Sequence, residues 1–264
     1  MEVAVVQYDI AWEDKPRNHA RIEEMLVEAD VPSGAFVVLP ELGDTGFSHD
    51  LDAVTAPEHD SVAWASELAR RHGWIIQAGH AERLENGMGR NCATIIRPDG
   101  PPVSYGKIHP ISILGESKVY EGGDSVLVAD IGPLLISPLI CYDLRFPELF
   151  RIATHEGAEL FTVAACWPVE RIAHWRTLLI ARAIEGQAWV LGCNRVGDDP
   201  NLTYGGTSII IAPDGEVLAE ADQREERVLR ATLDLAAGAK FRERFPVLAD
   251  AKRNLLGSIR VVRG

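Results

Sequence analysis

Leu134-Leu135-Ile136-Ser137-Pro138-Leu139-Ile140-Cys141-Tyr142-Asp143-Leu144-Arg145-Phe146-Pro147-Glu148 is the stretch on which the reading of the fold turns. Residues 134–140 form a nearly unbroken apolar run of strand length, as expected for a strand buried on both faces of its sheet. Pro147 suits the first turn of a helix, where its missing N–H has no partner to lose. A helix is therefore predicted from Pro147 to about Glu156. Cys141 stands between the two, at the tip of a buried strand. A sharp strand-to-helix turn exposes such a side chain as a nucleophile elbow does, and the oncoming helix N-terminus is expected to favour its thiolate.

Outward from this stretch, strand and helix patterns alternate. Residues 3–8, 35–39, 74–79, 160–165 and 188–192 read as strands, and residues 17–29, 61–71 and 171–185 as helices. Three hairpin signals interrupt the alternation. Pro98-Asp99-Gly100-Pro101-Pro102 separates strands 91–97 and 103–105, Gly132-Pro133 separates 126–131 and 134–140, and Pro213-Asp214-Gly215 separates 208–211 and 216–219. A strictly parallel βαβ series has no place for hairpins, so the sheet is mixed or split into two packed sheets with outer helices. Residues 227–233 read as the last strand, and a tail of basic and apolar residues follows from Phe241. Without a repeat or a linker-like shift in composition, residues 1–264 read as a single domain.

With 47% hydrophobic residues in 264, the chain can bury a core that needs no disulfide or metal staple. A net charge of −13 speaks against a nucleic-acid partner, which requires a basic face, so an anionic substrate would need a locally positive pocket. No stretch approaches the ~20 apolar residues that span a bilayer, and the opening Met-Glu-Val-Ala-Val-Val reads as a strand, not as a signal peptide. Cys92, Cys141, Cys166 and Cys193 form no CxxC pair and no Cys/His zinc spacing. A reducing cytoplasm and no metal are the expectation.

Most cysteines are small buried hydrophobes, a reading that suits Cys92, Cys166 and Cys193 in or beside apolar strands. A nucleophilic Cys141 needs a base. His109, His174 and His155 are the histidines to consider, and a papain-like Cys–His pair stays open on spacing alone. Glu41, at the end of the apolar strand Phe36-Val37-Val38-Leu39-Pro40, is a second candidate base. Lys107, after the strand ending at Tyr105, could hold an oxyanion or stabilise the thiolate. Each alone is more often a capping or solvated side chain.

Three segments link them. Leu39-Pro40-Glu41, Tyr105-Gly106-Lys107-Ile108-His109 and Cys141-Tyr142-Asp143-Leu144-Arg145-Phe146-Pro147-Glu148, in that order, resemble the three catalytic blocks of the nitrilase (carbon–nitrogen hydrolase) superfamily. The stretches Cys166-Trp167-Pro168, His174-Trp175, Ala181-Arg182-Ala183-Ile184-Glu185 and Cys193-Asn194-Arg195-Val196-Gly197 look most like its bacterial omega-amidases. The resemblance implies a four-layer αββα sandwich, two mixed sheets flanked by helices, that pairs with another subunit as a homodimer or higher homo-oligomer, with the last ~20 residues a tail used in subunit contacts. It implies a Glu41–Lys107–Cys141 triad, with Glu116 orienting it, and no cofactor.

The expected activity is hydrolysis of a small linear amide to acid and ammonia through a cysteine thioester, on 2-oxoglutaramate or a similar dicarboxylate monoamide. The backbone N–H of Tyr142 would join the oxyanion site. Arg145 could bind a free carboxylate or pair with Glu148, and Arg171 and Arg195 are further cations. Trp167 and Asn194 are candidate pocket residues. Gly43-Asp44, where the family commonly has a bulky residue, predicts an altered pocket wall. A nitrilase, an N-carbamoyl amidohydrolase and a non-catalytic binding protein of the same fold are the competing readings.

Overall fold

The structure is a computed structural model and describes residues 1–252 and 260–263. In chain order its first half comprises β1 (Glu2–Gln7), α1 (Lys15–Glu28), β2 (Phe36–Val38), α2 (Leu51–Val54), α3 (Ser61–His72), β3 (Ile75–Arg83), β4 (Gly89–Ile96) and β5 (Val103–Gly106). The second half comprises β6 (Ser125–Asp130), β7 (Leu135–Ile140), α4 (Pro147–His155), β8 (Leu160–Ala165), α5 (Ile172–Gly186) and β9 (Trp189–Asn194). β10 (Val196–Asp198), β11 (Thr203–Gly205), β12 (Ile209–Ile211), β13 (Val217–Glu220), β14 (Arg227–Thr232), α6 (Leu235–Arg244) and β15 (Arg260–Arg263) complete it.

Two mixed sheets carry the architecture. One has the order β14-β1-β2-β3-β4-β5, the other β13-β12-β9-β8-β7-β6-β15, and β10 and β11 form a separate ribbon. Strand periodicity sorts the first sheet's residues to two faces. Val3, Val5, Phe36, Val38, Ala93 and Ile95 join the core shared with the second sheet. Ala4, Val6, Val37, Ile76 and Ala78 pack instead with Ile22, Met25 and Leu26 of α1 and Ala65, Leu68 and Ala69 of α3. The outer face of the second sheet is covered by Leu149, Phe150 and Ala153 of α4 and Trp175, Leu179 and Ala183 of α5. The result is helix, sheet, sheet, helix, the expected αββα sandwich. Polar bonds also cross between the sheets: Thr162 Oγ1 donates to Gln77 Oε1 at 2.5 Å, and the Ser208 N–H to Gln7 Oε1 at 2.8 Å.

All three expected hairpins form, as β4–β5, β6–β7 and β12–β13. The β6–β7 pairing covers Ala129↔Ile136 and Asp130↔Leu135. Pro138, with no N–H to give, lies beyond it. Other elements differ from expectation. β3 runs past Gly79 to Arg83 and turns through Asn86-Gly87 into β4, a fourth hairpin. An Asn-Gly pair is a strong turn signal, but the charged residues on either side mask the strand ends. The last strand is not residues 227–233: α6 follows it, and Arg260–Arg263 pairs in parallel with β6. The tail expected to make subunit contacts falls partly on residues outside those described.

Gly79 positions the first catalytic block. A Cβ there would lie 2.2 Å from the Pro40 carbonyl oxygen and 2.9 Å from the Leu42 nitrogen. The close approach lets the Gly43 N–H reach the Gly79 carbonyl at 2.9 Å. Gly79→Ala is expected to lower stability by about 2–3 kcal/mol through overpacking against rigid backbone. Urea unfolding checks this, and an unchanged midpoint would mean that the Glu41 segment gives way freely.

Candidate active site

The carboxyl ends of strands from both sheets meet at one place. Glu41 follows β2 and Lys107 follows β5 in the first sheet, while Cys141 follows β7 and Cys166 follows β8 in the second. Glu116 comes from the loop after β5. Glu41, Lys107 and Glu116 are all 0% exposed, so their charges have only one another and nearby dipoles to answer them. Lys107 Nζ lies 2.7 Å from Glu41 Oε1 and 2.9 Å from both Oε1 and Oε2 of Glu116. Asn91 Nδ2 donates to Glu41 Oε1 at 2.8 Å and to Glu116 Oε1 at 3.0 Å. Backbone donors add to these, Cys166 N–H at Glu41 Oε2 (2.8 Å) and Ile111 N–H at Glu116 Oε2 (2.6 Å).

Burial works to lower the Lys107 pKa, but the adjacent Glu116 and Glu41 carboxylates outweigh it, and the ammonium is held well above the ordinary lysine range. The opposite holds at Cys141. Burial, then the negative charge of Glu41, push its thiol well above the ordinary cysteine range, with Lys107 pulling only partly the other way. This corrects the expectation of a thiolate favoured by the helix terminus. The chain passes from β7 into a turn, Cys141–Arg145, before α4 begins at Pro147. The resting group is therefore a neutral thiol that must give up a proton to attack.

Cys141 has φ +45°, left-handed for a residue with a Cβ, a conformation that costs on the order of 1 kcal/mol and needs support from its surroundings. Asp143 supplies it. Fully buried, it accepts from the Ile140 N–H (3.2 Å) and Tyr105 hydroxyl (2.8 Å) with one oxygen, and from the His109 N–H (3.0 Å) with the other. His109 Nδ1 is 2.9 Å from that second oxygen. Asp143 thus straps the cysteine turn to the lysine segment. Arg182 Nη2 adds a bond to the Leu144 carbonyl at 2.9 Å.

A cavity of about 300 Å3 opens onto Cys141 and Cys166, walled by Phe47, Ile111, Leu114 and Trp167 with Tyr142, Arg145 and Arg171 among its lining. The Arg145 guanidinium lies 4.7 Å from the Trp167 ring and 5.9 Å from the Tyr142 ring. No ion pair to Arg145 occurs among the described residues, so the alternative of a pair with Glu148 is not realised. Arg195 is spent elsewhere, on Asp9 Oδ1 at 3.0 Å, on the carbonyls of Val196, Ile10 and Asp198, and against the Tyr204 ring. Asn194 does not line the cavity. Its amide accepts from the Trp167 N–H (2.7 Å) and donates to the carbonyls of Trp167 (3.1 Å) and Gly206 (2.8 Å). Neither Gly43 nor Asp44 lines the cavity, and Asp44 is buried and paired with His19 at 3.0 Å.

The histidines offer no competing base. His109 is bound to Asp143 and stacked on Phe146 at 3.6 Å, His174 is exposed with Nδ1 3.5 Å from Arg145 Nη1, and His155 closes α4 at the end remote from the turn. Three residues at the site escaped the sequence reading. Asn91 carried a faint signal, an amide inside an apolar strand where asparagine is disfavoured. Asp143 stood in plain view beside the nucleophile. Cys166 read as a core thiol, yet its N–H and Sγ both contact Glu41, the latter at the carbonyl (3.2 Å).

A buried thiol, carboxylate and ammonium at the edges of two packed sheets define a cysteine-centred hydrolase. The carbon-nitrogen hydrolase family profile matches residues 2–243, and the chain belongs to that family. It is 36% identical over 256 residues to a 2-oxoglutaramate amidase of Bacillus subtilis, covering 96% of this chain and 98% of the relative. To the omega-amidase YafV of Escherichia coli K12 it is 34% identical over 252 residues, 95% and 96% of the two chains. The crystal structure of XC1258 from Xanthomonas campestris, a CN-hydrolase superfamily protein, superposes with a TM-score of 0.89 at 32% identity, covering 97% of this chain and 99% of that one. The chain is an enzyme of this superfamily, which acts through a cysteine nucleophile on small amides.

The same burial has a consequence for stability. The folded pKa values of Cys141, Cys166, Cys92 and Cys193 are all raised above 9.0, and that of Lys107 is raised above 10.5. The folded state therefore keeps protons that the unfolded chain gives up, and stability falls as pH rises past the unfolded values. Guanidinium unfolding midpoints are expected to be level below pH 8 and to decline steadily from about pH 9 upward. A midpoint flat to pH 10.5 would contradict this.

Proposed function

We propose that the chain is an omega-amidase, releasing ammonia from the terminal amide of a short dicarboxylate monoamide such as 2-oxoglutaramate. The observation that carries the reading is Arg145, half-buried in the cavity beside Cys141 with no carboxylate among the described residues to neutralise it. Arg171 lines the same cavity. A guanidinium so placed can take a substrate carboxylate in a two-pronged hydrogen bond, while Phe47, Ile111, Leu114 and Trp167 fit a short aliphatic chain. A cavity of about 300 Å3 is at the small end for organic ligands. Relatives named for this activity, alike over nearly the whole length, support the same assignment.

The chemistry follows from the residues. Glu41 takes the Cys141 proton as the sulfur attacks the amide carbon. Three N–H bonds are available to Lys107: Glu41 takes one, the two oxygens of Glu116 share a second, and the third turns to the developing oxyanion. The N–H of Tyr142, in the first turn after the strand where such groups have no partner within the turn, is the other donor. Each donor of this kind is worth roughly 3–4 kcal/mol. Glu41 returns the proton to the departing nitrogen, leaving ammonia and a thioester on Cys141. Water deprotonated by Glu41 then releases the acid and restores the thiol. Glu116 orients Lys107, and Asn194 fixes the Trp167 backbone without touching substrate.

The same reading places the protein in the cytoplasm, consistent with four unpaired cysteines. It also makes residues 1–264 one domain that pairs with a second copy. Ile184 and Phe245, 53% and 61% exposed, are apolar surface that such a partner would cover.

Cys141→Ala is expected to abolish ammonia release from 2-oxoglutaramate, and brief exposure of the parent to the amide should add an acyl mass on Cys141. Turnover of a nitrile or an N-carbamoyl amino acid in preference to the amide would overturn the assignment. Arg145→Ala should lower kcat/KM for 2-oxoglutaramate by roughly 10- to 150-fold, the value of a charged hydrogen-bonded contact, while leaving propionamide nearly unchanged. Equal losses on both amides would remove Arg145 from carboxylate recognition.

A further inference from the structure

Asn91 is 1% exposed in β4 and does not line the substrate cavity. Yet its Nδ2 donates to the same two oxygens, Glu41 Oε1 and Glu116 Oε1, that receive the Lys107 ammonium. Two donors and two acceptors alternate around a closed ring, with the carboxylates on opposite corners. The acceptors dictate which way the amide points, since ionised carboxylates only accept. Turning it round would aim its oxygen at two negative groups. Its Oδ1 has no hydrogen-bond partner among the described residues, so the amide gives up its acceptor to serve both glutamates.

The charges around this ring come from several elements. Lys107 ends β5, Glu116 lies in the loop beyond it, Cys141 follows β7 and Cys166 follows β8. Tyr120 and His49 also lie within electrostatic reach of Glu116, and burial lowers the His49 pKa, so its imidazole adds no cation above its ordinary range. Two carboxylates therefore share one ammonium. Asn91 is the other side-chain donor between them.

We infer that Asn91 is a positioning residue for proton transfer: by bridging Glu41 and Glu116 it lets both stay ionised side by side, leaving Glu41 able to accept the Cys141 proton. Like charges this close oppose each other, so removing the shared donor penalises the doubly charged pair. The inference rests on Glu41 acting as the base in the proposed amidase cycle.

Alkylation of Cys141 by iodoacetamide, followed by mass spectrometry across pH, tests it without a substrate. In Asn91→Leu the acid limb of the rate profile should move up by about one pH unit or more, slowing alkylation roughly tenfold near pH 6.5 and converging with the parent near pH 9. Asn91→Asp keeps the side chain's shape, covers the case where the leucine variant does not fold, and adds a third carboxylate, so its limb should move further. In a Glu116→Gln background, where one of the two charges is gone, Asn91→Leu should move the limb by less than about 0.3 unit. An unmoved limb in both single variants, or a loss equal at every pH, overturns the inference. A parent that alkylates with a clear acid limb but releases no ammonia from any amide would overturn the amidase reading and leave this one standing.

Discussion

An ammonium enclosed between two carboxylates, with no water-facing side, is the constraint from which the rest of the site follows. Lys107 is as buried as any core leucine, and an isolated charge there would be untenable. Glu41 and Glu116 make it tenable, but they bring one negative charge more than the lysine can answer. The surplus is met by dipoles: the Asn91 amide, the Cys166 N–H and the Ile111 N–H. Removing one partner of such a group typically costs about 3–5 kcal/mol because the others are left uncompensated. The strand ends and loops that deliver these donors are therefore held as tightly by electrostatics as by packing.

Burial, reinforced by the surplus negative charge, accounts for the state of the nucleophile. Burial pushes the Cys141 thiol up, and Glu41 raises it further by more than Lys107 pulls it down, so the thiol rests protonated. A site that stored a thiolate would need no base. In the proposed cycle that base is Glu41, and the left-handed turn at Cys141 fixes where the sulfur waits. Asp143 stabilises that turn and at the same time ties Tyr105 and His109, on either side of Lys107, to it. The histidine that a Cys–His reading would choose as base is a buttress for the lysine segment.

Much of the architecture was legible because apolar runs, Asp-Gly and Gly-Pro turns and the proline at a helix start each report local physics. Three hairpins in an otherwise alternating series pointed to a mixed sheet or two packed sheets with outer helices, and the resemblance to the family implied the four-layer sandwich. The β3–β4 hairpin stayed hidden, although Asn86-Gly87 marks it, because Glu82, Arg83 and Glu85 break the apolar pattern of the strand end. At the site, Glu41, Lys107 and Cys141 were found through their ordered blocks, and Glu116, a loop carboxylate by pattern alone, only through the family resemblance. Asn91 and Cys166 were not, since their roles depend on which strand end lies opposite, and neither composition nor period carries that. Arg145 and Arg195 looked alike as cations in the sequence. Only the partners separate them, four acceptors and an aromatic ring for Arg195 against two ring faces and an open cavity for Arg145.

The division of the site between two sheets has one more consequence. Glu41 and Lys107 follow strands that precede residue 110, Cys141 and Cys166 strands that come after it. Neither half of the chain holds a working set. Until the sheets close on each other at their usual spacing of about 10 Å, the base proposed for Cys141 cannot reach its proton. A nascent or partly opened chain is thus chemically quiet towards the cell's amides. Hydrolysis begins only with completed packing, so the enzyme's activity is itself a gauge of how its two sheets are seated.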